Sequence, residues 1–340
     1  MYRFAIIGCG RISARHAENI NRIGKLLAVC DIIPAKADEL ANKYKAKSYY
    51  SIDDLLKNEP GVDVISICTP NGLHAEHSIK SLRAGKRVLC EKPLCISVNS
   101  ALEVLQVEKE TGKKLFVVKS TRYNPLLQKL KTLLTRKQLG KIYSFHLSCI
   151  WNRPTEYFTD WKGKIASDGG TLYTQFSHYI DALIWLLGDI EEVKGFKSNF
   201  AHPTIEFEDS GAVALKMSSG SIGSFHWSVN AFKKNHEIAL TIIAEKGTIR
   251  LGGEYLNEVQ YVSAETDPGL ISSEVKANDY QFYKGSMSNH KEVYDHLLKV
   301  LDHDDLSFTD AYDGLKTVET IESIYNAAYE AAEIPEKTYL

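Results

Sequence analysis

Val88-Leu89-Cys90-Glu91-Lys92-Pro93-Leu94 is the stretch that decides how the rest of this chain is read. Arg87 to Cys90 is a short apolar run of the kind that forms a buried strand. It delivers a carboxylate, an amine and a proline to its C-terminal end, and a helical pattern resumes at Ser97. In open parallel α/β sheets, ligands sit just beyond the carboxyl ends of the strands. A lysine placed there can face one ligand on each side. Glu-Lys-Pro by itself is a common surface tripeptide, so its weight comes from the segments around it.

Toward the N-terminus, Phe4-Ala5-Ile6-Ile7 is a β-rich run ending in Gly8-Cys9-Gly10-Arg11-Ile12-Ser13. Ala14, Ala17 and Ile20 follow at the spacing of one helix face. This order resembles a dinucleotide-binding turn. Gly8 permits the bend, Gly10 lets the backbone approach a pyrophosphate, and the helix N-terminus offers N–H groups to phosphate. Ser13 takes the third small position. The next apolar run, Leu26 to Cys30, ends at Asp31, twenty-three residues after Gly8. An acid at that tip suits the two hydroxyls of an adenosine ribose and repels a 2′-phosphate. Ile32-Ile33-Pro34-Ala35 places no arginine beside it, although Lys36 follows, so NAD is favoured over NADP.

The alternation continues through a helix at 35–44, Ser48-Tyr49-Tyr50, a short helix from Asp53, and a strand at 62–68 ending Thr69-Pro70-Asn71. A helix at 74–84 closes at Gly85, Ser97 caps the helix to Gly112, and Leu115 to Val118 is the last strand of the set. Strands alternating with helices of this length form a doubly wound parallel sheet. After a helix at 125–139, strand patterns follow at 143–151, 192–200, 212–218, 222–230, 237–243, 247–251 and 258–263. Turn residues rather than helices separate most of them, the signature of an antiparallel sheet. Helices at 289–301 and 309–332 end the chain. The expected fold class is α/β plus α+β: an N-terminal Rossmann domain at 1–120 and, at 121–340, an open, mostly antiparallel β-sheet domain.

Bulk properties agree. At 340 residues the chain is long for one core. Its 44% hydrophobic and 25% charged residues are ordinary for a globular protein. A net charge of −2 supplies no basic field for nucleic acid or an anionic membrane. The six cysteines lack metal-ligand spacing and sit mostly at the ends of apolar runs, so neither a metal site nor a disulfide framework is expected. The N-terminus enters a strand pattern without a signal-peptide layout, and the longest apolar run, Ala182 to Leu187, is too short to span a bilayer. A cytoplasmic location is expected.

Gly8-Cys9-Gly10, Cys68-Thr69-Pro70-Asn71 with His74, and Glu91-Lys92-Pro93, in this order, resemble the glucose–fructose oxidoreductase/inositol dehydrogenase (Gfo/Idh/MocA) family over nearly the whole chain. The resemblance implies an NAD(P)-binding first domain, with Gly8, Gly10, Arg11, Ile12, Asp31, Thr69, Pro70, Asn71, His74, Glu91 and Lys92 around the cofactor. It also implies a cis peptide before Pro93. The second domain's sheet is implied to hold a sugar-like substrate and to form a homodimer or homotetramer.

The second half carries its own constellation, Asp168-Gly169-Gly170-Thr171-Leu172-Tyr173-Thr174-Gln175-Phe176-Ser177-His178-Tyr179-Ile180-Asp181. Read as a helix from Leu172 to Leu187, it places Thr171, Gln175, His178 and Asp181 on one face. An acid three residues after a histidine is placed to fix its tautomer, as a general base needs. The family's usual pattern is Asp-x-Gly-x-His, and Gln175 and Ser177 are read here in place of its Asp and Gly. Lys119-Ser120-Thr121-Arg122-Tyr123-Asn124-Pro125, Trp151-Asn152-Arg153, Trp161-Lys162-Gly163 and Gly285-Ser286-Met287-Ser288-Asn289-His290 are similar to the UDP-N-acetylglucosaminuronic acid 3-dehydrogenases. These serve bacterial surface polysaccharide (lipopolysaccharide O-antigen) synthesis. Where such sequences tend to read Gly-Thr-Trp, this one has Gly163-Lys164-Ile165.

Oxidising a secondary alcohol requires loss of the hydroxyl proton, hydride transfer to the nicotinamide and stabilisation of charge on oxygen. Lys92 and His178 are the expected catalytic residues, with His178 favoured as base and the reverse assignment open. Arg122 is expected either to grip a sugar carboxylate bidentately, flanked by Tyr123 and Asn124, or to form a salt bridge at the domain seam. Gln175 is counted among the substrate contacts, with Asn289 and His290 near the nucleotide part. Trp161 either covers the nicotinamide or plugs a loop. Two other readings stand beside the sugar-nucleotide dehydrogenase: a dehydrogenase of a free polyol or aldose such as myo-inositol, and a non-catalytic NAD-binding regulator. The regulator predicts loss of the lysine or histidine, and this chain keeps both.

Overall fold

A computed structural model describes residues 1–272, 277–279, 284–287, 289–303 and 308–330. Ser288 and positions 331–332 of the expected last helix lie outside the described residues. Along the first third, β1 (Arg3–Ile7), α1 (Ser13–Ile23), β2 (Lys25–Cys30), α2 (Pro34–Tyr44), β3 (Lys47–Tyr49), α3 (Ile52–Asn58), β4 (Val64–Ile67), α4 (His74–Arg83), β5 (Arg87–Cys90), α5 (Val98–Thr111) and β6 (Leu115–Val117) alternate. The six strands are parallel, in the order β3-β2-β1-β4-β5-β6. The central strands read as unbroken apolar runs because helices cover both faces. Ser51 and Ser97 cap α3 and α5 by accepting the N–H groups of Asp54 and Ser100, and Gly112, at φ 64°, closes α5. Strand order reverses between β1 and β4. The crevice there is edged by the ends of β1, β4 and β5, which carry the glycine turn, Thr69-Pro70-Asn71 and Glu91-Lys92.

The chain continues through α6 (Pro125–Thr135), β7 (Ile142–Ile150), α7 (Ile165–Asp168) and α8 (Ser177–Leu187). Then come β8 (Ile190–Ser198), β9 (Ser210–Met217), β10 (Ile222–Ser228), β11 (Glu237–Ala244), β12 (Gly247–Gly252) and β13 (Glu258–Ala264). A small hairpin of β14 (Ala277–Asp279) and β15 (Lys284–Met287) precedes α9 (His290–His303), α10 (Ala311–Ala327) and β16 (Ala328–Glu330). Eight of these strands form one sheet, β13-β12-β11-β7-β10-β9-β8-β16. Its pairs are antiparallel except β7–β10 and β8–β16. The inner face (Phe145, Leu147, Cys149, Phe225, Trp227, Leu240, Ile242) shares a core with Phe176, Tyr179, Ile180 and Leu183 around α8.

Three expectations are corrected. The helix expected at 125–139 stops at Thr135. The expected 309–332 helix ends at Ala327, and Ala328–Glu330 pairs instead with the edge of β8, where ladder hydrogen bonds outweigh local helix propensity. The third matters most for the site: α8 is preceded by a π-helical turn, Leu172–Phe176. Such turns insert a residue into the helical count, so faces drawn across it from 3.6-residue spacing do not hold. The two last helices also return to the first sheet. Val293, Tyr294 and Leu297 of α9 share a core with Phe4, Ile20 and Leu26, and Thr309 brackets Val117 of β6 with two hydrogen bonds.

Glu208 joins the layers of the second domain. Its Oε1 accepts the Tyr325 hydroxyl of α10 (2.9 Å) and the Trp227 indole N–H of β10 (3.2 Å). The Tyr325 oxygen in turn accepts the Leu172 N–H of the π turn (2.9 Å). Burial pushes this carboxyl up to about 8, opposed by those hydrogen bonds and Lys197. A carboxyl raised from 4.5 keeps its proton in the fold and costs stability as pH climbs from the unfolded value through the folded one. Glu208→Gln, which cannot ionise, is expected to melt a few degrees above wild type above about pH 8, with the gap closing toward pH 4.5; calorimetry across that range checks it.

Candidate active site

The cofactor side is built at the glycine turn. Gly8 has φ 92°, and a Cβ there would meet the Cys68 carbonyl and Thr69 N at 2.7 Å, so only glycine lets β1 end against β4. Nothing lies within 4 Å of a Cβ at Gly10, which leaves that side open to a ligand. Ile12 precedes α1 without a side-chain cap, the Ser13 and Arg15 N–H groups bond back to the Gly10 and Ile12 carbonyls, and Arg11 stands exposed beside this positive end of the helix. Asp31 is held by two backbone donors, Cys9 N–H to Oδ2 and Ile33 N–H to Oδ1, both at 2.8 Å. Each oxygen retains a second lone pair for a ribose hydroxyl. These residues fit a dinucleotide.

Glu91 is the centre of the crevice. Its Oε1 accepts N–H from His16 Nε2 (2.8 Å) and His290 Nε2 (3.1 Å), and its Oε2 accepts the Lys92 backbone N–H (3.1 Å). Burial would raise this carboxyl, but the bonds and charges of the two imidazoles outweigh it and hold it well below the usual carboxylate range. With Nε2 donating, His16 Nδ1 accepts the Tyr294 hydroxyl (2.7 Å), which also meets Ser66 Oγ (3.1 Å). His16, Glu91 and His290 offer three ligand-type atoms within 4.8 Å of one another, but hydrogen bonds already join them. His290 Nδ1 stays buried without a partner among the described residues. Sequence reading missed His16, because a histidine one turn into the first helix carries no local mark of a partner 75 residues later.

Lys92 crosses to the second domain. The Lys92–Pro93 peptide is cis, and the half-buried lysine's Nζ donates to the Thr174 carbonyl (2.9 Å), which the π turn presents to it. Burial lowers this lysine; Glu91 and Asp168 work against that, while Arg153 and Lys119 add to it. His178, on the first turn of α8, is held well below 6.5 by burial and then by the Lys92 charge, so the imidazole is neutral at pH 7. Counted back from His178, the acid and glycine of the Asp-x-Gly-x-His pattern fall at Thr174 and Phe176, not at Gln175 and Ser177. Thr174 is therefore the substituted position, and it is the residue that meets Lys92.

Other expected residues lie elsewhere than the spacing implied. Asp181 does not serve as the hydrogen-bond partner that fixes His178. Its carboxylate takes Arg122 Nε and Nη2 (both 2.8 Å), Lys119 Nζ (2.9 Å) and the Thr317 hydroxyl (3.1 Å), and acts on His178 only through space. Arg122 is thus in the seam salt bridge, with Asp313 as a second partner (2.9 Å), rather than an open carboxylate grip. Asn124 is buried as the cap of α6, accepting Leu126 N–H and donating to the Leu256 carbonyl. Tyr123 meets His296 Nδ1 (2.7 Å), and Asn289 donates to the Ser120 carbonyl (3.0 Å). Gln175 joins Arg153 Nε (2.6 Å) to the Tyr157 hydroxyl (2.7 Å). Asn71 gives its amide protons to the Asp168 carbonyl (2.9 Å) and Thr174 Oγ1 (2.7 Å), and His74 bridges the Pro93 and Thr69 carbonyls (2.6 and 2.8 Å). Both brace the crevice. Pro70 precedes the turn carrying Asn71. Trp161 lies in a loop whose Lys162 stacks on its ring (4.9 Å) and feels the charge of Arg11, which brings this loop toward the glycine turn.

Residues 2–119 match the family model "Oxidoreductase family, NAD-binding Rossmann fold", and residues 127–250 match the GFO/IDH/MocA C-terminal domain. The WlbA dehydrogenase from Chromobacterium violaceum, solved with NADH and UDP-GlcNAcA, is 34% identical at a TM-score of 0.87, covering 96% of this chain and 93% of its own. The WlbA dehydrogenase from Bordetella pertussis, solved with the same two ligands, is 31% identical at 0.87, covering 96% of each chain. The chain belongs to the Gfo/Idh/MocA oxidoreductase family. An inositol 2-dehydrogenase of Salmonella typhimurium is a further relative, 28% identical over 255 residues and 72% of each chain. This family member is an NAD-dependent dehydrogenase acting on an alcohol carbon.

NAD supplies the hydride acceptor when bound. The proton and the charge on oxygen fall to this chain's residues. A base must be neutral before it accepts a proton, and His178 meets that condition. An ammonium beside an alkoxide lowers the cost of its charge, and Lys92 is the cation whose charge acts on His178. With His178 depressed, the acid limb of kcat/KM is expected below pH 6.5. His178→Asn should remove that limb and cut kcat by about a hundredfold or more, with the NAD Kd changed less than about threefold by titration calorimetry.

Proposed function

We propose that this chain oxidises a secondary alcohol of a nucleotide-linked uronic acid, specifically C3 of UDP-N-acetylglucosaminuronic acid, in the cytoplasm and in the service of bacterial surface polysaccharide synthesis. The observation that carries this reading is the charge of the crevice. The charges of Arg153 and Asp168 act on both Lys92 and Lys162, and Arg11 and Asp160 act on Lys162 as well, so that cations outnumber the acids there. An acidic sugar nucleotide meets that field; an uncharged inositol has nothing to offer it. Arg153 is held in place, its guanidinium carbon 4.7 Å from the Trp151 ring centre and its Nε donating to Gln175. It replaces Arg122 in this reading as counter-charge for the sugar carboxylate, together with Lys162. Buried His290 Nδ1 is the hydrogen-bond site left for the substrate. Similarity to two WlbA dehydrogenases over nearly the whole chain supports the same substrate class.

The outer face of the second sheet bears exposed Phe196, Ile222, Ile243, Tyr261 and Tyr329, and a second copy of the chain is proposed to cover it. The test is NADH formation by purified protein given NAD with either UDP-N-acetylglucosaminuronic acid or myo-inositol. The uronate is expected to exceed inositol in kcat/KM by at least about a thousandfold. Turnover of inositol with none of the uronate contradicts the reading, and light scattering of the same sample reads its oligomeric mass.

A further inference from the structure

Lys92 is a half-buried cation whose nearest acid in sequence is already committed. Glu91 spends its oxygens on two imidazoles and the Lys92 amide. The other carboxylate that acts on the ammonium is Asp168, the last residue of α7, which is 1% exposed. Asp168 Oδ2 accepts the Gly163 N–H (2.9 Å), and Oδ1 accepts the Thr174 hydroxyl. The carbonyl of that same threonine accepts Lys92 Nζ (2.9 Å). Asn71, from the end of β4, donates to both the Asp168 carbonyl and the Thr174 hydroxyl oxygen and so ties the pair to the cofactor crevice. One residue, Thr174, thus links a carboxylate, through its hydroxyl, to the ammonium, through its backbone carbonyl.

We propose that Asp168 is the positioning residue for Lys92: through Thr174 it sets the ammonium's place in the crevice, and its charge keeps the ammonium protonated. This rests on the reading of Lys92 as the group that meets the reacting hydroxyl. The charged and titratable groups facing this pair are few. Asp168 faces Lys92 and Lys162; Lys92 faces Glu91 and Asp168 on the favourable side and Arg153, Lys119 and neutral His178 on the other. Asp168 is itself pushed up to about 6 by burial, so it is ionised through the neutral and alkaline range in which the dehydrogenation would run. Removing its charge leaves Lys92 with burial and two cations against it.

The test is the titration of Lys92 in protein carrying ε-13C-lysine, its signal assigned by its loss in Lys92→Arg. In Asp168→Asn the Lys92 titration is expected to move down by about one pH unit. kcat should fall about tenfold, with the NAD Kd unchanged and Asp168→Glu restoring most of both. Thr174→Val, which removes the hydroxyl and keeps the carbonyl, should move it in the same direction by less. An unmoved Lys92 titration in a folded Asp168→Asn protein overturns the proposal; if that variant does not fold, an unmoved titration in Thr174→Val does so. Full turnover by Lys92→Met overturns the underlying reading of Lys92 instead, and leaves the lysine titration to judge Asp168 separately.

Discussion

A carboxylate can be kept charged away from water only if donors surround it, and Glu91 imposes that condition on this fold. Its donors come from three places: His16 on the first helix, His290 on the first turn of α9, and the backbone of Lys92 at the end of β5. The glycine turn, the last helices and the Glu-Lys-Pro corner are therefore fastened at one point. Removing either imidazole strands buried charge, which typically costs about 3–5 kcal/mol. The return of α9 to the first sheet follows from the same demand, since Tyr294 completes the donor chain to His16.

A second buried carboxylate fixes the other half. Asp181 is held by Lys119, Arg122 and Thr317, and Arg122 continues to Asp313. The network joins the end of the first domain to α8 and α10, and α8 carries His178. Between the two hubs lies Lys92, donating to the π turn. The two domains thus approach along a seam of paired charge. Arg122 shows how such a seam conceals itself: by residue type it suits a sugar carboxylate, yet its charge is already matched by the protein.

Local spacing made much of this legible. The glycine turn, Asp31 at the tip of β2, the strand into Glu91 and the cap at Ser97 are features of neighbouring residues, and each formed where the pattern placed it. His178 near Lys92 was legible because two motifs of one family imply a shared site. The hidden part depends on distance in sequence or on an irregular turn. His16 meets Glu91 across 75 residues, and Arg122 meets Asp181 across 59. His178 and Asp181 share the regular helix α8, but Asp181 is taken by Lys119 and Arg122, and the π turn broke only the helical count that put Thr171 and Gln175 on the same face. Ala328–Glu330 became a strand because β8 offered an edge, which no local propensity records.

The central claim is that Lys92 and His178, one from each domain, converge on a single hydroxyl. A crystal structure with NADH and UDP-N-acetylglucosaminuronic acid, a reduced cofactor beside an alcohol and so unable to react, tests it directly. The account predicts the sugar's reacting hydroxyl within about 3 Å of both Lys92 Nζ and an imidazole nitrogen of His178. A hydroxyl bonded to neither, or a sugar whose alcohol faces away from the lysine, would contradict it.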